Sequence, residues 1–246
     1  MKPETVDRSA SIFSYGLLVM TLTHTLTHAF GQMHTTLFPV LKDEFGLSYQ
    51  QLGVIAAIPP LCQSLLSIPT GLLSDRFGSK KMIIVSMVVA CAGSLLAGVA
   101  RDPLMFIVAV SLLYINTTIY HPASYSFTTR LFQPRDRSKA LGIHGAGGTF
   151  GMSIGPLSLA MLMGYFAFGW RQVYLFWFVP LLVGIVTVFL IRSEPSEDAE
   201  AKIDKSKNQT QATKLLTASL AFFLVFSGIR MVGSGMITSF MSVYLV

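Results

Sequence analysis

Charge is what this sequence is shortest of. Asp, Glu, Lys and Arg make up 12% of its 246 residues, against about 25% in soluble domains, while 52% are hydrophobic. Mean hydropathy is +0.60. That deficit excludes an ordinary soluble domain and, with 18 Phe, 12 Met and 20 Gly, describes a polytopic membrane protein. Cysteine is nearly missing too. Cys62 and Cys91 both fall inside apolar runs, which excludes a disulfide framework and makes them small buried hydrophobes. Acids are missing where they would matter most. All twelve (Glu4, Asp7, Asp43, Glu44, Asp75, Asp102, Asp136, Glu194, Glu197, Asp198, Glu200 and Asp204) lie in termini, loops or a linker, so no carboxylate in an apolar segment can carry a proton across the bilayer midplane. No catalytic carboxylate pair, phosphate loop or nucleophile–base spacing stands out, so no enzyme and no cofactor are expected. The first apolar run is too long for a cleavable signal peptide and has no small-residue site after it.

Spanning a bilayer takes roughly 20 apolar residues. Seven segments meet that measure, near 12–36, 50–73, 80–100, 103–127, 139–165, 170–191 and 215–246. Ser48 is placed to cap the second helix ahead of Gln51. Residues 192–213, rich in Glu, Asp, Lys, Gln and Asn, cannot bury a core and read as a linker. The chain therefore divides into a six-helix transmembrane bundle at 1–191, the linker, and a seventh helix at 214–246. Cations decide the orientation. Two sit at the amino terminus, three between the second and third segments, four between the fourth and fifth, and five from Arg192 to Lys214. The opposite loops hold only Lys42, Arg101 and Arg171, and Arg230 lies within the seventh segment. By the positive-inside rule the amino terminus and linker are cytoplasmic. The net charge of +6 thus reports topology, and nucleic acid is not expected as a partner.

Between the second and third segments stands Gly71-x-x-x-Asp75-Arg76-x-Gly78-x-Lys80. This stretch resembles the loop motif of the major facilitator superfamily, at the place where that family has it, with Ser79 where the family often has arginine. The resemblance covers the whole chain. It implies an all-α membrane protein with a six-helix N-terminal bundle of 3+3 inverted repeats, followed by the first helix of an incomplete C-terminal bundle whose other half lies beyond Val246. Within the superfamily the chain is similar to the fosmidomycin-resistance group of drug exporters, through Phe45-Gly-Leu-Ser48, Tyr120-His121-Pro122-Ala123 and an arginine in the seventh segment. The resemblance implies proton-coupled efflux of a drug or metabolite by alternating access in a bacterial inner membrane. The alternatives are uptake of an anionic metabolite and carriage of a divalent metal.

Site candidates follow. The resemblance makes Gly71, Asp75, Arg76, Gly78 and Lys80 a conformational gate, with Arg135 and Arg137, in the loop read as its counterpart in the second repeat, as local ion-pair partners; the plain alternative is a solvated turn whose cations set topology. All five histidines (His24, His28, His34, His121, His144) lie in or beside predicted helices, and imidazole titrates near neutrality. His24 and His28 share a face of the first helix, with Gln32 a turn further; Thr117, His121 and Ser124 share a face of the fourth, where Pro122 frees a backbone carbonyl. If those faces line the cavity, as the resemblance implies, His24, His28, Gln32, Thr117 and His121 are proton or substrate ligands; otherwise they are neutral side chains bonded to neighbouring helices. The His24–His28 pair also suits Zn or Ni, but no carboxylate or thiol is placed to complete the shell, so no metal site is expected. Gly147, Gly151 and Gly155, followed by Pro156, let helices approach closely; Gly151-x-x-x-Gly155-Pro156 resembles the antiporter motif of drug-exporting members, with Leu159 and Ala160 in place of its paired glycines. Arg230, on one stripe with Ser227 and Ser234, would face the cavity and attract an anionic solute, or pair with another helix. The expected partners are a small-molecule substrate, protons and the lipid bilayer.

Overall fold

The computed structural model describes residues 14–31 and 33–191, together with 222, 225–230, 233, 237 and 241. The chain divides into two units, Met1–Glu194 and Pro195–Val246. In the second unit the described positions are helical and Phe222 stacks on Phe226. The stretch read as a linker, 192–213, lies outside the described residues, as does most of 214–246.

In the first unit every regular element among the described residues is a helix. The expected span at 12–36 is not one rod but three pieces: α1 (Tyr15–Ala29), α2 (Met33–Thr36) and α3 (Phe38–Phe45). Ser14 caps α1 by accepting the Leu17 N–H. The first break falls where the Gly31 N–H donates to His28 O and the Met33 N–H to Phe30 O, three-residue bonds that tighten the turn and end the α-ladder. The second falls before Pro39, which has no N–H to offer Thr35. Lys42, Asp43 and Glu44, read as loop, are thereby carried on α3, which ends at Gly46 with φ 61°, a left-handed cap that glycine adopts without strain.

The remaining spans are α4 (Tyr49–Phe77), α5 (Ser79–Gly98), α6 (Pro103–Leu131), α7 (Pro134–Gly164) and α8 (Trp170–Phe189). Ser48 and Gln51 form the reciprocal capping box at the start of α4. Two boundaries move candidate residues out of loops. Asp75 and Arg76 ride the last turn of α4, leaving Gly78 alone (φ 85°) between α4 and α5. Arg135, Arg137 and Lys139 sit in the opening turns of α7. Hydropathy stops where lipid stops; helical hydrogen bonding continues past it.

Packing follows an internal two-fold relation. Contact of α4 with α6 is matched by α7 with α1, the extensive contact of α5 with α6 has a much smaller counterpart in α8 with α1, and α5 meets α8 across the axis. This is the pattern of three helices repeated in inverted order. It relates the Gly78 turn to the 165–169 connection, and not to the stretch holding Arg135 and Arg137.

The seam between α1 and α7 brings backbone against backbone. A Cβ on Gly147 would lie 2.6 Å from Thr21 O, and on Gly151 and Gly155 it would overlap Thr25 O and Ala29 O outright. The register advances four residues on both helices together, so they run parallel with backbone against backbone.

At the opposite end of the bundle from Gly78, Glu44 accepts from the Arg171 guanidinium (2.6 Å) and from the Trp170 indole N–H (2.6 Å), while the Arg171 Nε–H donates to Ala100 O (2.6 Å). The Arg171 guanidinium thus ties α8 to α3 through Glu44 and to the end of α5 through Ala100. Partial burial pushes the Glu44 carboxyl up, but the hydrogen bonds from Arg171 and Trp170 and the guanidinium charge outweigh it, so the group titrates below its ordinary range. A carboxyl depressed in the fold contributes stability above its unfolded pKa, and that stability disappears as pH falls through the folded value. Glu44→Gln should therefore lower stability by about 1 kcal/mol at neutral pH, discounted for solvent exposure, and by progressively less on acidification. Melting curves followed by tryptophan fluorescence in detergent, at neutral and acid pH, check both the size and the convergence.

Candidate functional site

The site is built where α1, α6 and α7 meet. His24 and His28 share one face of α1, His121 comes from α6, and His144 from α7. The His28 and His121 Nε2 atoms are 3.0 Å apart, those of His24 and His121 3.4 Å. The His24 ring stacks on His144 with centroids 4.1 Å apart, and its Nδ1 lies 2.7 Å from His144 O. His121 Nδ1 lies 2.8 Å from Thr117 O. Buried Tyr120 donates to Met20 O (2.9 Å) and touches Thr23 Oγ1 (2.8 Å), holding α6 against α1 beneath the rings. Gln63 of α4 donates to Thr117 Oγ1 at 2.8 Å. The carbonyl that Pro122 leaves without its helical donor, Thr118 O, is met by Thr70 of α4 at 3.4 Å.

Glycine makes the cluster possible. A Cβ on Gly148 would lie 2.6 Å from the His24 ring, so only a bare backbone leaves room for it. Thr25 completes the seam by donating to Gly147 O at 2.9 Å.

These bonds determine where the lone pairs point. A carbonyl oxygen can only accept, so the Nδ1 atoms of His24 and His121 both carry hydrogen, and each neutral ring keeps its lone pair on Nε2. Those two lone pairs face each other and His28. The His28 Nε2–H can satisfy one; the other still attracts a proton or a cation. His24 and His144 are buried, whereas His28 and His121 are partly exposed, which makes the trio reachable from one side.

The other candidates fall elsewhere. His34 stands apart against Tyr114 (3.5 Å). Gln32 lies outside the described residues. Arg230 is helical and exposed within the second unit. Gly71 has open space where a side chain would go. Among the described residues no ion pair joins Asp75 to Arg135 or Arg137: Asp75 is exposed, Arg135 pairs with its neighbour Asp136 (3.3 Å), and Arg137 donates to Thr129 O and Phe132 O. The motif is anchored by other groups. Lys80 donates to Ile191 O (2.6 Å) and Phe189 O (3.3 Å) at the end of α8, and Arg130 of α6 donates to buried Ser79. A guanidinium thus reaches position 79 from another helix. In the sequence His144 stands with His34 outside the candidate ligands, Tyr120 figures only in the family resemblance, and Gln63 and Gly148 carry no signal of their own. Only the four-residue rhythm of Gly147, Gly151 and Gly155 pointed to the seam that gathers the rings.

Residues 20–246 match the family described as Major Facilitator Superfamily. The chain belongs to that superfamily. It is 27% identical over 240 residues to the fosmidomycin resistance protein of Escherichia coli (strain K12), covering 94% of this chain and 57% of the relative. It is 23% identical over 194 residues to the quinolone resistance protein NorB of Staphylococcus aureus (strain JH9), covering 78% of this chain and 40% of that one. In fold it is similar to a bacterial homolog of the human lysosomal transporter Spinster in an inward-facing, unoccupied conformation, with TM-score 0.78 at 20% identity over 96% of this chain and 56% of the other. The chain spans about half the length of the curated relatives it matches. Membership accords with an all-helical, multi-pass membrane protein of the secondary-transporter class.

The seam yields a controlled test. Gly148→Ala should displace the His24 ring and lower thermal stability, while Gly145→Ala, which meets nothing within 4 Å, should leave stability unchanged. Melting of the protein in detergent distinguishes the two.

Proposed function

We propose that this chain forms part of a proton-coupled secondary transporter that exports a small organic solute, a drug or metabolite, by alternating access. The observation that carries the reading is the imidazole cluster enclosed by α1, α6 and α7 in a superfamily of solute carriers. A polar cluster at helix depth is costly in lipid and marks a pathway by default. The described membrane helices bury no carboxylate between their ends, so imidazole is left as the proton-accepting group. Export is favoured over uptake by the names of the relatives, resistance proteins for fosmidomycin and quinolones, and by the small-residue seam that resembles the exporters' motif.

Orientation is part of the proposal. Arg76, Lys80, Lys81, Arg130, Arg135, Arg137 and Lys139 all cluster at the Gly78 end of the bundle, where the ends of α4, α6 and α8 meet the starts of α5 and α7. By the positive-inside rule that end is cytoplasmic, in a bacterial inner membrane. The gate reading places Asp75 and Arg76 at the cytoplasmic mouth, where a carboxylate at a helix end can exchange partners as the bundle rocks. Arg230, in the seventh helix, would attract an anionic solute.

Everted membrane vesicles containing the full-length protein test it directly. An imposed pH gradient should drive solute uptake into the vesicles, and collapsing the gradient should stop it. His121→Gln should reduce gradient-driven flux to that of vesicles lacking the protein. Asp75→Asn should slow transport while leaving equilibrium solute binding unchanged. Flux indifferent to the gradient would remove the proton, and full-rate transport by Asp75→Asn would remove the gate.

A further inference from the structure

We infer that His24, His28 and His121 form a binding site for a borderline divalent cation of the Zn(II) class. The His24–His28 pair on α1 lacks a third ligand within its own helix, and α6 supplies one. One ring nitrogen from each of the three residues lies within 4.8 Å of the other two. The Nε2 atoms of His28 and His24 stand 3.0 and 3.4 Å from that of His121. A tetrahedral Zn site with bonds of about 2.05 Å has nitrogens about 3.3 Å apart. Two of the three edges already match, and closing the third takes a movement of at most about 1.5 Å by that measure.

The surroundings fit a metal as well as the distances do. His24 and His121 turn their Nδ1–H groups onto backbone carbonyls, His144 O and Thr117 O. Such an outer bond fixes the tautomer and aims the Nε2 lone pair at a metal. The donor set is imidazole alone, which suits Zn, Ni and Cu and offers little to Mg or Ca. Partial exposure of His28 and His121 gives an ion a way in. Three protein ligands leave a fourth position for water or an oxygen donor of a solute. The site does not depend on which ion drives transport or in which direction the solute moves.

The purified full-length protein, stripped of metal and held in detergent with excess Mg(II), would be titrated with Zn(II), and separately with Co(II) to read coordination from its visible absorption. We expect one equivalent bound and the intense absorption of four-coordinate Co(II). His121→Gln and His28→Gln should each weaken Zn(II) binding by at least about 100-fold, the upper end of what losing even an outer-shell partner costs. His34→Gln, which alters a histidine outside the trio, should bind as the parent does. His121→Cys should retain binding, because a thiolate replaces one ligand with another, and it serves as the second probe if the glutamine variant fails to elute as a monodisperse protein. Failure of the parent to take up Zn(II) in preference to Mg(II) would overturn the site. So would Zn(II) affinity unchanged in both His28→Gln and His121→Gln.

Discussion

The approach of α1 to α7 is the constraint on which the rest of this bundle depends. Lipid tails are as apolar as the helix surfaces they cover, so nothing like the hydrophobic effect drives helices together within a bilayer. Close dispersion contact does, and it needs surfaces without side chains. Gly147, Gly151 and Gly155 provide one, meeting the carbonyls of Thr21, Thr25 and Ala29 in succession. A fourth glycine, Gly148, faces the His24 ring and admits it. One seam therefore sets the depth of α1, seats His24 against His144 O, and gives Thr25 the Gly147 carbonyl to bond.

Polar groups within the membrane must find partners inside the protein, and here that requirement orients the imidazoles. Serine and threonine hydroxyls largely bond back to their own helices, as Thr21 does to Leu17 O and Thr25 to Thr21 O. Two histidines are held differently, each committing one nitrogen to a backbone carbonyl. The other nitrogen is thereby presented to its neighbours as a lone pair. Whatever cation occupies the trio, a proton or a metal, is bound by groups that backbone geometry has already aimed.

Much of this was legible from residue order, and the remainder was hidden for identifiable reasons. Hydropathy located the spans because bilayer thickness sets a minimum run of apolar residues. The Ser48–Gln51 cap was readable because capping is a local exchange of two hydrogen bonds. The division of the first span was missed because Gly31 and Pro39 do not interrupt the apolar run, though they interrupt the ladder. The reach of α4 and α7 beyond the apolar runs was missed for the converse reason, since helices do not end where lipid does. His144 stood only five residues into the fifth segment as read, among the histidines but not among the candidate ligands. With α7 beginning at Pro134, the residue lies about 15 Å along the helix at 1.5 Å per residue, level with His24. The meeting of His121 with the α1 pair spans more than ninety positions in the chain, and no local pattern encodes a separation of that kind.

The inverted repeat adds a last consequence. The two-fold relation pairs α1 with α6, and α7 with α4, so each central helix has one outer helix lying along it. The two arms are built from different materials. Alongside α1, α7 carries the glycine seam, with its backbone pressed against its neighbour. Alongside α6, α4 carries Pro59, Pro60 and Pro69, each lacking a backbone donor. A helix short of three internal hydrogen bonds resists bending less than one packed backbone to backbone. His24 is thus held by the stiff arm. His121 is tied through Thr117 and Gln63 to the compliant one. Movement of α4 relative to the seam would pass to α6 through two hydrogen bonds, Gln63 to Thr117 and Thr70 to Thr118 O, and so to the spacing of the His24 and His121 nitrogens.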